Sequence, residues 1–343
     1  MSLIGIVGDI HLGINEHKYL FNEYHVKCLK YIFSEFKKRG IDTIIYLGDI
    51  FDKRYSISTK TLKECDNLFK NNGFKQYFLV GNHDVTYKNS NELNSVEILL
   101  GDLNKVVVNT PEEIEFGGKK FLLVPWLNKT NIVASTRIVR ESKANYLLGH
   151  LDLSGFEMIR GFVSNKGNFP TLMLKKFQHV ISGHFHCYSQ KGNITFLGNI
   201  CEMNWNDYNV NKHFGYIDTE TDEFNLIDIP FKMYHVIRIK SSKDLVNPKE
   251  FKDKIVKCYL YTRRSIKIEK YITQLVDNCL QVNVVDEQVI NATVDFNIDE
   301  HNMSVVDLWS AYLNEMDIRK KDATICNKIF SDVYMKVTSG DVT

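Results

Sequence analysis

The chain has 343 residues, of which 44% are hydrophobic and 25% charged, a composition typical of a soluble globular protein. Its 43 basic and 42 acidic residues give a formal net charge of +1, which excludes a chromatin-like binder but still allows a local strip that binds nucleic acid. Seven scattered cysteines without a C-x-x-C pair argue against a disulfide framework or a zinc-thiolate site and suit a reducing cytoplasm.

The first third of the chain alternates strand and helix signals, beginning with an apolar strand rather than a signal peptide. Strands are predicted at 3–7, 43–47 and 76–80, and helices at 19–39 and after Ser58, a plausible N-cap. The first helix pattern stops at Gly40, a residue that favours helix ends. Each strand is followed by polar residues. Because the C-terminal ends of parallel strands meet at one edge of a sheet, we expect these polar residues to lie together.

Strand signals dominate from about residue 121 to residue 230, and near Pro230 the pattern of predicted elements changes. The remainder predicts a compact α+β module, with strands at 235–239, 255–262 and 281–285 and a helix at 266–279. We therefore predict a catalytic domain over 1–230, a capping domain over 231–300, and a C-terminal helical segment and tail over 301–343. No apolar run approaches the roughly 20 residues that span a bilayer.

Five short motifs rich in Asp, His and Asn follow the predicted strands. They are Asp9-Ile10-His11, Gly48-Asp49-Ile50-Phe51-Asp52, Gly81-Asn82-His83-Asp84, Gly149-His150 and Gly183-His184-Phe185-His186. In Asp-x-His and His-x-His both side chains face one side of an extended segment, so each pair can hold one ion or two neighbouring ions. Asp49 can bridge two cations, and imidazole with carboxylate suits Mn²⁺, Fe²⁺ or Zn²⁺. The alternative is a set of ordinary turn residues, but five motifs in this order favour a two-metal site.

These motifs resemble the pattern D-x-H, G-D-x-x-D, G-N-H-D/E, G-H and G-H-x-H of the calcineurin-like metallophosphoesterase superfamily. The resemblance implies an α/β (α+β) fold, a four-layer β-sandwich flanked by helices, with the small C-terminal α+β domain as a cap. It implies two divalent metal ions that poise a hydroxide for attack on phosphorus. One ion would be held by Asp9, His11, Asp49 and His186, and the other by Asp49, Asn82, His150 and His184, with Asp49 bridging.

The remaining histidine of the motifs, His83, is not a metal ligand in the superfamily. The resemblance implies that it stabilises the transition state or protonates the leaving oxygen. Asp84 next to it is expected to orient or charge the imidazole, so both residues are assigned to catalysis.

Within the superfamily, the motifs are most similar to SbcD-type nucleases, the nuclease subunits of SbcC–SbcD complexes and of phage T4-type recombination endonucleases. Gly8-Asp-Ile-His-Leu-Gly13 matches G-D-x-H-L-G, residues 48–52 resemble G-D-x-F-D, and Asp84 stands where protein phosphatases have Glu. The resemblance implies a hydrolase, a Mn²⁺-dependent DNA exonuclease and endonuclease, with Mg²⁺, Fe²⁺ or Zn²⁺ as other candidate ions. Over the C-terminal third it rests on layout alone.

The same resemblance implies DNA ends and single strands as substrate, an SbcC-type coiled-coil ATPase as partner, a homodimer, and the cytoplasm of a bacterial cell or phage-infected host. The chain has no G-x-x-x-x-G-K-[ST] loop, so ATP hydrolysis must come from another subunit. A helix predicted at about 304–318 either docks on that partner or packs on its own cap. Its apolar stripe consists of Val305, Leu308, Trp309, Tyr312 and Met316.

Candidate DNA contacts are loop residues that combine cations for phosphate with aromatic rings near the strand ends. They are Lys18, Lys53, Arg54, Tyr55, Tyr87 and Lys88. Solvated loop residues remain the alternative for each of them.

Two other functions fit the same motifs. One is an enzyme of this fold that acts on small phosphoesters or phosphoproteins, against which the last 110 or so residues argue because small-substrate members need no cap or partner helix. The other is a metal-free scaffold of the fold, against which the complete ligand set and His83 argue.

Overall fold

The computed structural model describes residues 3–15, 19–101, 105–287, 309, 312–313 and 320–338, and the structural statements below concern these residues. The helices are α1 (Tyr19–Lys38), α2 (Thr59–Phe69), α3 (Ser95–Leu100), α4 (Ile132–Glu141), α5 (Ile266–Asn278) and α6 (Lys320–Thr338). None of the helices in these ranges is long and apolar enough to cross a bilayer.

Seventeen strands are present in the described ranges. They are β1 (Leu3–Val7), β2 (Thr43–Tyr46), β3 (Lys75–Leu79), β4 (Lys105–Val108), β5 (Glu112–Phe116), β6 (Lys119–Val124), β7 (Tyr146–His150), β8 (Glu157–Ile159), β9 (Phe162–Val163), β10 (His179–Gly183), β11 (Ser189–Lys191), β12 (Ile194–Phe196), β13 (Lys212–Asp218), β14 (Glu223–Ile229), β15 (Tyr234–Ile239), β16 (Ile255–Leu260) and β17 (Gln281–Asp286).

Two six-stranded mixed sheets form the body of the protein. The first has the order β14-β13-β1-β2-β3-β4, in which β1 to β4 are parallel and β13 and β14 are antiparallel additions. The second has the order β11-β12-β10-β7-β6-β5, with β12, β10, β7 and β6 parallel. The parallel strands of both sheets carry the helical crossovers, which sets the helices on the outer faces.

The two sheets pack face to face, which makes a layered sandwich. Ile4 of β1, Leu123 of β6 and Ile181 of β10 belong to the apolar core between them. Alternate residues of the same strands face outward, where Phe36 of α1 and other helix residues cover the first sheet. Val139 of α4 packs on the outer face of the second sheet. The predicted fold class, a four-layer sandwich flanked by helices, is confirmed.

A third, smaller sheet lies beyond the sandwich. Strands β15, β16 and β17 are parallel neighbours, and α5 crosses over between β16 and β17. Side chains from α5, including Ile268 and Leu275, share a separate apolar core with this sheet. The linker before β15 is bound to the sandwich, because the Glu202 carboxylate accepts hydrogen bonds from the backbone N–H groups of Met233 (2.6 Å) and Tyr234 (2.9 Å).

Most strongly patterned elements lie where the sequence predicts them. Helix α1 ends before Gly40, which has φ +70°, and Ser58 caps α2 by accepting a hydrogen bond from the Thr61 N–H at 3.2 Å. The sequence analysis did not predict α6 as a separate helix of the C-terminal segment. The helix predicted over 304–318 lies outside the described residues except for Trp309, Tyr312 and Leu313.

Candidate metal centre

The five motifs converge at one edge of the sandwich. The first three follow β1, β2 and β3 of the first sheet, and the last two lie at the ends of β7 and β10 of the second. Since all five strands run parallel within their sheets, their C-terminal ends lie on the same side. The motif side chains, although they are spread from residue 9 to residue 186 in the sequence, are therefore brought together where the two sheets meet.

One group of potential ligands contains Asp9, His11 and His186. A ligand atom from each lies within 4.8 Å of the others, and all three are at least half-buried. The His11 and His186 rings have centroids 4.9 Å apart. Asp9 is held in place because both of its carboxylate oxygens accept the backbone N–H of His184, at 3.0 and 2.9 Å.

A second group contains Asp49, His150 and His184, again with ligand atoms within 4.8 Å of one another. Asn82 adds a neutral oxygen, since its Oδ1 lies 2.8 Å from both His150 Nε2 and His184 Nδ1. His150 Nδ1 lies 2.8 Å from the carbonyl oxygen of Leu47 and must donate to it. That bond leaves the Nε2 of a neutral ring free to bind an ion and fixes the ring orientation.

Asp49 stands between the two groups. Its Oδ2 lies 3.4 Å from His150 Nε2 on one side and 3.7 Å from His11 Nε2 on the other. Its Oδ1 accepts the backbone N–H of His83 at 2.8 Å. The seven predicted ligands thus lie together at this edge, with Asp49 between the two groups.

The backbone is unusual at three of these positions. His11, Asp49 and His184 have φ values of +51°, +48° and +86°, in the left-handed region that non-glycine residues rarely occupy. Such conformations cost on the order of 1–3 kcal/mol each and cluster at functional sites. They turn the chain sharply after each strand, so that the side chain points back into the site.

Two motif glycines are required by close approach. A Cβ on Gly183 would lie 2.3 Å from Asp9 Oδ1, and a Cβ on Gly81 would lie 2.2 Å from Asp49 Oδ1. Any larger residue at these positions would displace a carboxylate of the site. The glycines therefore serve ligand packing more than chain flexibility.

Burial controls the protonation of the site histidines. It lowers the pKa of His11 and His184 well below the usual range and that of His186 to about 4, so these rings are neutral near pH 7. Burial also acts to lower the pKa of His150, but the carboxylates of Asp49 and Asp9 outweigh it and raise it to about 9. A cation would have to displace the His150 proton, which is the usual coupling of metal binding to proton release.

The donor set fits two divalent cations. Both ring nitrogens of His11 are buried with no hydrogen-bond partner, which is costly unless something else binds them. The buried Asp9 and Asp49 carboxylates lie beside imidazole rings, with His150 3.9 Å from Asp9 and 3.4 Å from Asp49. Oxygen and imidazole donors without thiolate suit Mn²⁺, Fe²⁺, Mg²⁺ or Zn²⁺ and do not distinguish among them.

The structure gives His83 a different partner from the one predicted. His83 Nδ1 lies 2.7 Å from the backbone carbonyl oxygen of Asp52 and must donate to it. Asp84 instead accepts hydrogen bonds from the backbone N–H groups of Gly81 (2.9 Å), Ile50 (3.0 Å) and Phe51 (3.0 Å). The predicted contact between Asp84 and the imidazole is therefore wrong, because the carboxylate is fully buried beneath the loops and bonded to their backbone.

Sequence reasoning missed two residues that border the site. The Asp52 carboxylate lies 3.7 Å from His11 Nδ1 and forms a third cluster with His11 and His83. The Trp126 ring packs against His184 and His150, with centroids 4.9 and 5.9 Å away. Asp52 was visible in the second motif, but Trp126 stands in an apolar stretch with no signal of its own.

The candidate DNA-contacting residues are placed differently from one another. Lys53, Tyr55, Tyr87 and Lys88 are exposed on the loops after β2 and β3, Tyr55 by 76% and Tyr87 by 63%. The Nε of Arg54 donates to the carbonyl oxygen of Asn82 at 2.9 Å, so this half-buried side chain supports a potential ligand. Lys18 lies outside the described residues.

The candidate partner-binding stripe is largely outside the described residues, which include only Trp309 and Tyr312 of it and not Val305, Leu308 or Met316. Trp309 stacks on Phe330 of α6 with ring centroids 4.7 Å apart. On α6 itself an aliphatic stripe is exposed to solvent, formed by Ile325 (49%), Ile329 (58%) and Val333 (55%).

The sequence of the chain is similar to those of known proteins. A model of the calcineurin-like phosphoesterase family matches residues 2–188, which include all five motifs. Exonuclease subunit 1 of enterobacteria phage T4 is 28% identical over 339 residues, spanning 97% of this chain and 98% of the phage protein.

Two solved structures resemble the sandwich. A dimetal phosphatase from Danio rerio covers 66% of this chain and 95% of its own at 14% identity, with a TM-score of 0.44. The Pseudomonas putida nuclease MPE covers 65% of this chain and 87% of its own at 14% identity, with a TM-score of 0.32.

Proposed function

The chain belongs to the calcineurin-like phosphoesterase family, and on this premise we propose that it is a two-metal DNA nuclease, the nuclease subunit of a complex that processes DNA ends. One observation carries the proposal. Two three-residue groups of His and Asp, each with ligand atoms within 4.8 Å, share an edge of the sandwich with Asp49 between them.

This geometry supports two ligand sets. Asp9, His11, Asp49 and His186 would hold one ion, and Asp49, Asn82, His150 and His184 the other. When bound, the two ions supply an activated water and neutralise charge on the phosphoryl oxygens. Mn²⁺ is the proposed ion because the resemblance of the motifs to SbcD-type nucleases implies it, and the donor set is compatible with it.

The protein's own contribution is to hold these ligands rigidly. The Leu47 carbonyl oxygen fixes the His150 ring, and the His184 N–H fixes the Asp9 carboxylate. Trp126 packs against the His184 ring, with centroids 4.9 Å apart. Ligands held in this way would bind their ions with little rearrangement, which would favour a fixed position for the reacting phosphoryl group.

His83 is proposed to act on the leaving oxygen. Its ring lies next to the metal ligand His11, with centroids 4.8 Å apart, and it is partly open to solvent. Because Nδ1–H donates to the Asp52 carbonyl, Nε2 is the atom that can carry or release a proton towards substrate. A positioned imidazole of this kind typically contributes about 10²–10⁴-fold to the rate.

DNA is the proposed substrate because the phage T4 exonuclease subunit is similar along nearly the whole chain, including the region beyond the sandwich. The exposed Lys53, Tyr55, Tyr87 and Lys88 on the site loops offer cations to the phosphates and rings to the bases. In this proposal residues 1–230 form the catalytic domain and residues 231–300 the cap. Lys18 belongs to the same proposed contact set.

The proposed partner is an SbcC-type coiled-coil ATPase that binds the C-terminal segment 301–343. The exposed stripe Ile325, Ile329 and Val333 has the i, i+4, i+8 spacing by which an amphipathic helix lies in an apolar groove. The word "subunit" in the name of the phage relative supports an assembly of this kind.

The test compares linear duplex DNA with a small aryl phosphodiester, each with Mn²⁺, in the presence and absence of the ATPase subunit. We expect degradation of DNA from its ends, stimulated by the ATPase, and little turnover of the small ester. Rapid hydrolysis of the small ester without any DNA degradation, even with the ATPase present, would falsify the nuclease assignment in favour of a small-substrate phosphoesterase. The variant Asp49→Ala, which removes the shared ligand, is the control for contaminating nuclease.

A further inference from the structure

An ion pair is buried directly behind one of the metal-ligand segments. Lys212 and Asp207 are 2% and 4% exposed, and Lys212 Nζ lies 2.5 Å from Asp207 Oδ1. Neither residue belongs to the five motifs, and neither reaches the metal centre with its own side chain. Burying such a pair costs free energy through desolvation, and replacing one with apolar residues is often neutral or stabilising. The contacts of the pair with its surroundings must therefore offset this cost.

The lysine is bonded to the segment that carries His186. Its Nζ donates to the backbone carbonyl oxygen of His186 at 3.3 Å and to the side-chain oxygen of Asn199. The Asn199 backbone N–H reaches the same His186 carbonyl oxygen at 3.4 Å. Together with Asp207, these contacts use the three N–H donors of the ammonium group. The position of the His186 backbone is thus set from behind by Lys212.

The aspartate is bonded to a short 3-10 helix, Trp205–Asp207, of which it is the last residue. Its Oδ2 accepts the backbone N–H groups of Met203 (2.8 Å) and Asn204 (3.3 Å). Asp207 therefore holds the first turn of this helix and Lys212 at the same time. Any shift of the 3-10 helix is passed to the ammonium group that holds His186.

The same 3-10 helix contacts α6. The side-chain amide of Asn206 donates to the hydroxyl of Tyr334 at 2.9 Å, and the Tyr334 hydroxyl lies 3.2 Å from Asn206 Oδ1. Asn206 and Asp207 are adjacent in sequence, so one faces α6 while the other faces Lys212. A continuous series of polar contacts consequently leads from Tyr334 to the His186 backbone.

We propose that Lys212 and Asp207 are positioning residues for His186, and that they connect this ligand to α6 through Asn206 and Tyr334. The inference rests on the proposed function, in which His186 binds an ion and the C-terminal segment binds a partner. When the partner moves α6, the 3-10 helix and Lys212 move with it. The His186 imidazole then shifts relative to Asp9 and His11, and the affinity for their shared ion changes.

The experiment measures Mn²⁺ binding to the full chain by calorimetry, together with the visible absorption of the Co²⁺-loaded protein. The variants are Tyr334→Phe, the double variant Lys212→Met/Asp207→Asn, and the triple variant that combines them. The double variant removes both charges together, since an unpaired buried carboxylate would threaten folding. Tyr19→Phe is the matched control, because this tyrosine of α1 is 61% exposed and belongs to none of the proposed sites.

We expect the wild type to bind two ions and the double variant to bind one of them roughly 10–100-fold more weakly, the size of effect typical when a residue that supports a metal ligand is removed. Tyr334→Phe should weaken the binding of the same ion roughly two- to five-fold. It should also shift the visible absorption of the Co²⁺-loaded protein in the same direction as the double variant does. In the triple variant the tyrosine change should have no further effect, because coupled residues are not additive. Tyr19→Phe should match the wild type.

The outcomes separate this inference from the proposed function. A wild type that binds no Mn²⁺ would refute the two-metal site itself. A wild type that binds two ions, with both affinities unchanged in the folded double variant, would overturn the positioning role alone. If Tyr334→Phe weakens binding equally in the presence and absence of the ion pair, the connection to α6 is refuted and only the support of His186 by Lys212 stands.

Discussion

His83 Nδ1 lies 2.7 Å from the backbone carbonyl oxygen of Asp52, and this bond determines which ring nitrogen faces the substrate. Since a carbonyl oxygen only accepts, the proton on Nδ1 is fixed and Nε2 is left for catalysis. We predict that His83→Ala lowers kcat about 10²–10⁴-fold, the usual contribution of a general acid, while two ions remain bound. Steady-state kinetics and metal analysis of the same preparation check this. Loss of an ion in the variant would instead make His83 a ligand.

Asp84 is predicted to act through the loops. Its carboxylate accepts three buried backbone N–H groups, so Asp84→Ala should lower the free energy of unfolding by roughly 3–5 kcal/mol. Urea unfolding of the metal-free protein measures the loss. Asp84→Asn, which keeps one acceptor oxygen, should lose less and should leave the shape of the pH–rate profile unchanged. A shifted profile in Asp84→Asn would show that Asp84 acts on the imidazole after all.

Substitutions of Asp49 and His184 should differ in how many bound metal ions they remove. Asp49 lies between both ligand groups, whereas His184 belongs to one. We expect Asp49→Ala to lose both tightly bound ions and His184→Ala to retain about one, as the shared-ligand geometry requires. Elemental analysis after dialysis gives the stoichiometry. Two ions in Asp49→Ala would contradict a bridging role, and His213→Gln, outside the site, serves as the control.

His25 gives the fold a defined acid sensitivity. Burial lowers its pKa to about 4, and Nδ1 donates to the Phe21 carbonyl oxygen at 3.2 Å while Nε2 has no partner. The unfolded chain takes up this proton below about pH 6.5 and the folded chain only near pH 4. Stability contributed by the neutral ring is therefore present above pH 6.5 and is lost as the pH falls towards 4, by up to about 3 kcal/mol.

The variant His25→Asn, which keeps a donor for Phe21 but has no titrating group, isolates this contribution. Its free energy of unfolding should fall less than that of the wild type between pH 6.5 and pH 4, in chemical denaturation of the metal-free protein. The site histidines titrate equally in both proteins and cancel in the difference. Parallel pH dependence of the two proteins would mean that His25 is not the group responsible.

Trp126 should report the occupation of the metal centre. Its ring lies 4.9 Å from that of His184 and 5.9 Å from that of His150. Paramagnetic Mn²⁺ bound to these histidines should quench the tryptophan fluorescence, whereas diamagnetic Zn²⁺ should quench it much less. Trp126→Phe should abolish the Mn²⁺ response even though Trp205 and Trp309 remain. A response that persists in Trp126→Phe would place the bound Mn²⁺ elsewhere.

The sequence predicted the ligand cluster because strand and ligand signals are adjacent in the chain. Asp9 and His150, for instance, each follow a short run of apolar residues that is typical of a buried strand. Parallel strands then bring such residues to one edge whatever their distance in sequence. The residues of the site that lie at strand ends could therefore be predicted from the local sequence pattern alone.

The remaining features depend on contacts that no local pattern contains. The partner of Asp84 could not be predicted, because the carboxylate reaches the backbone of residues more than thirty positions earlier. In the sequence Trp126 is one of several apolar residues. Its place beside the site depends on the arrangement of β6, β7 and β10 as neighbours in the second sheet. Strand β5, with the sequence EEIEF, also escaped prediction, since an edge strand with charged residues lacks the apolar run by which buried strands are recognised.

Strand β1 has its two neighbours far apart in the sequence, β2 on one side and β13 on the other. During synthesis the chain must be made at least as far as Asp218 before β1 can be completed as an interior strand, and a single domain folds as a unit. The loop that carries Asp9 and His11 directly follows this strand. A ribosome-bound chain that ends before Asp218 therefore has no finished centre, and phosphoester hydrolysis begins only after the second sheet is already in place.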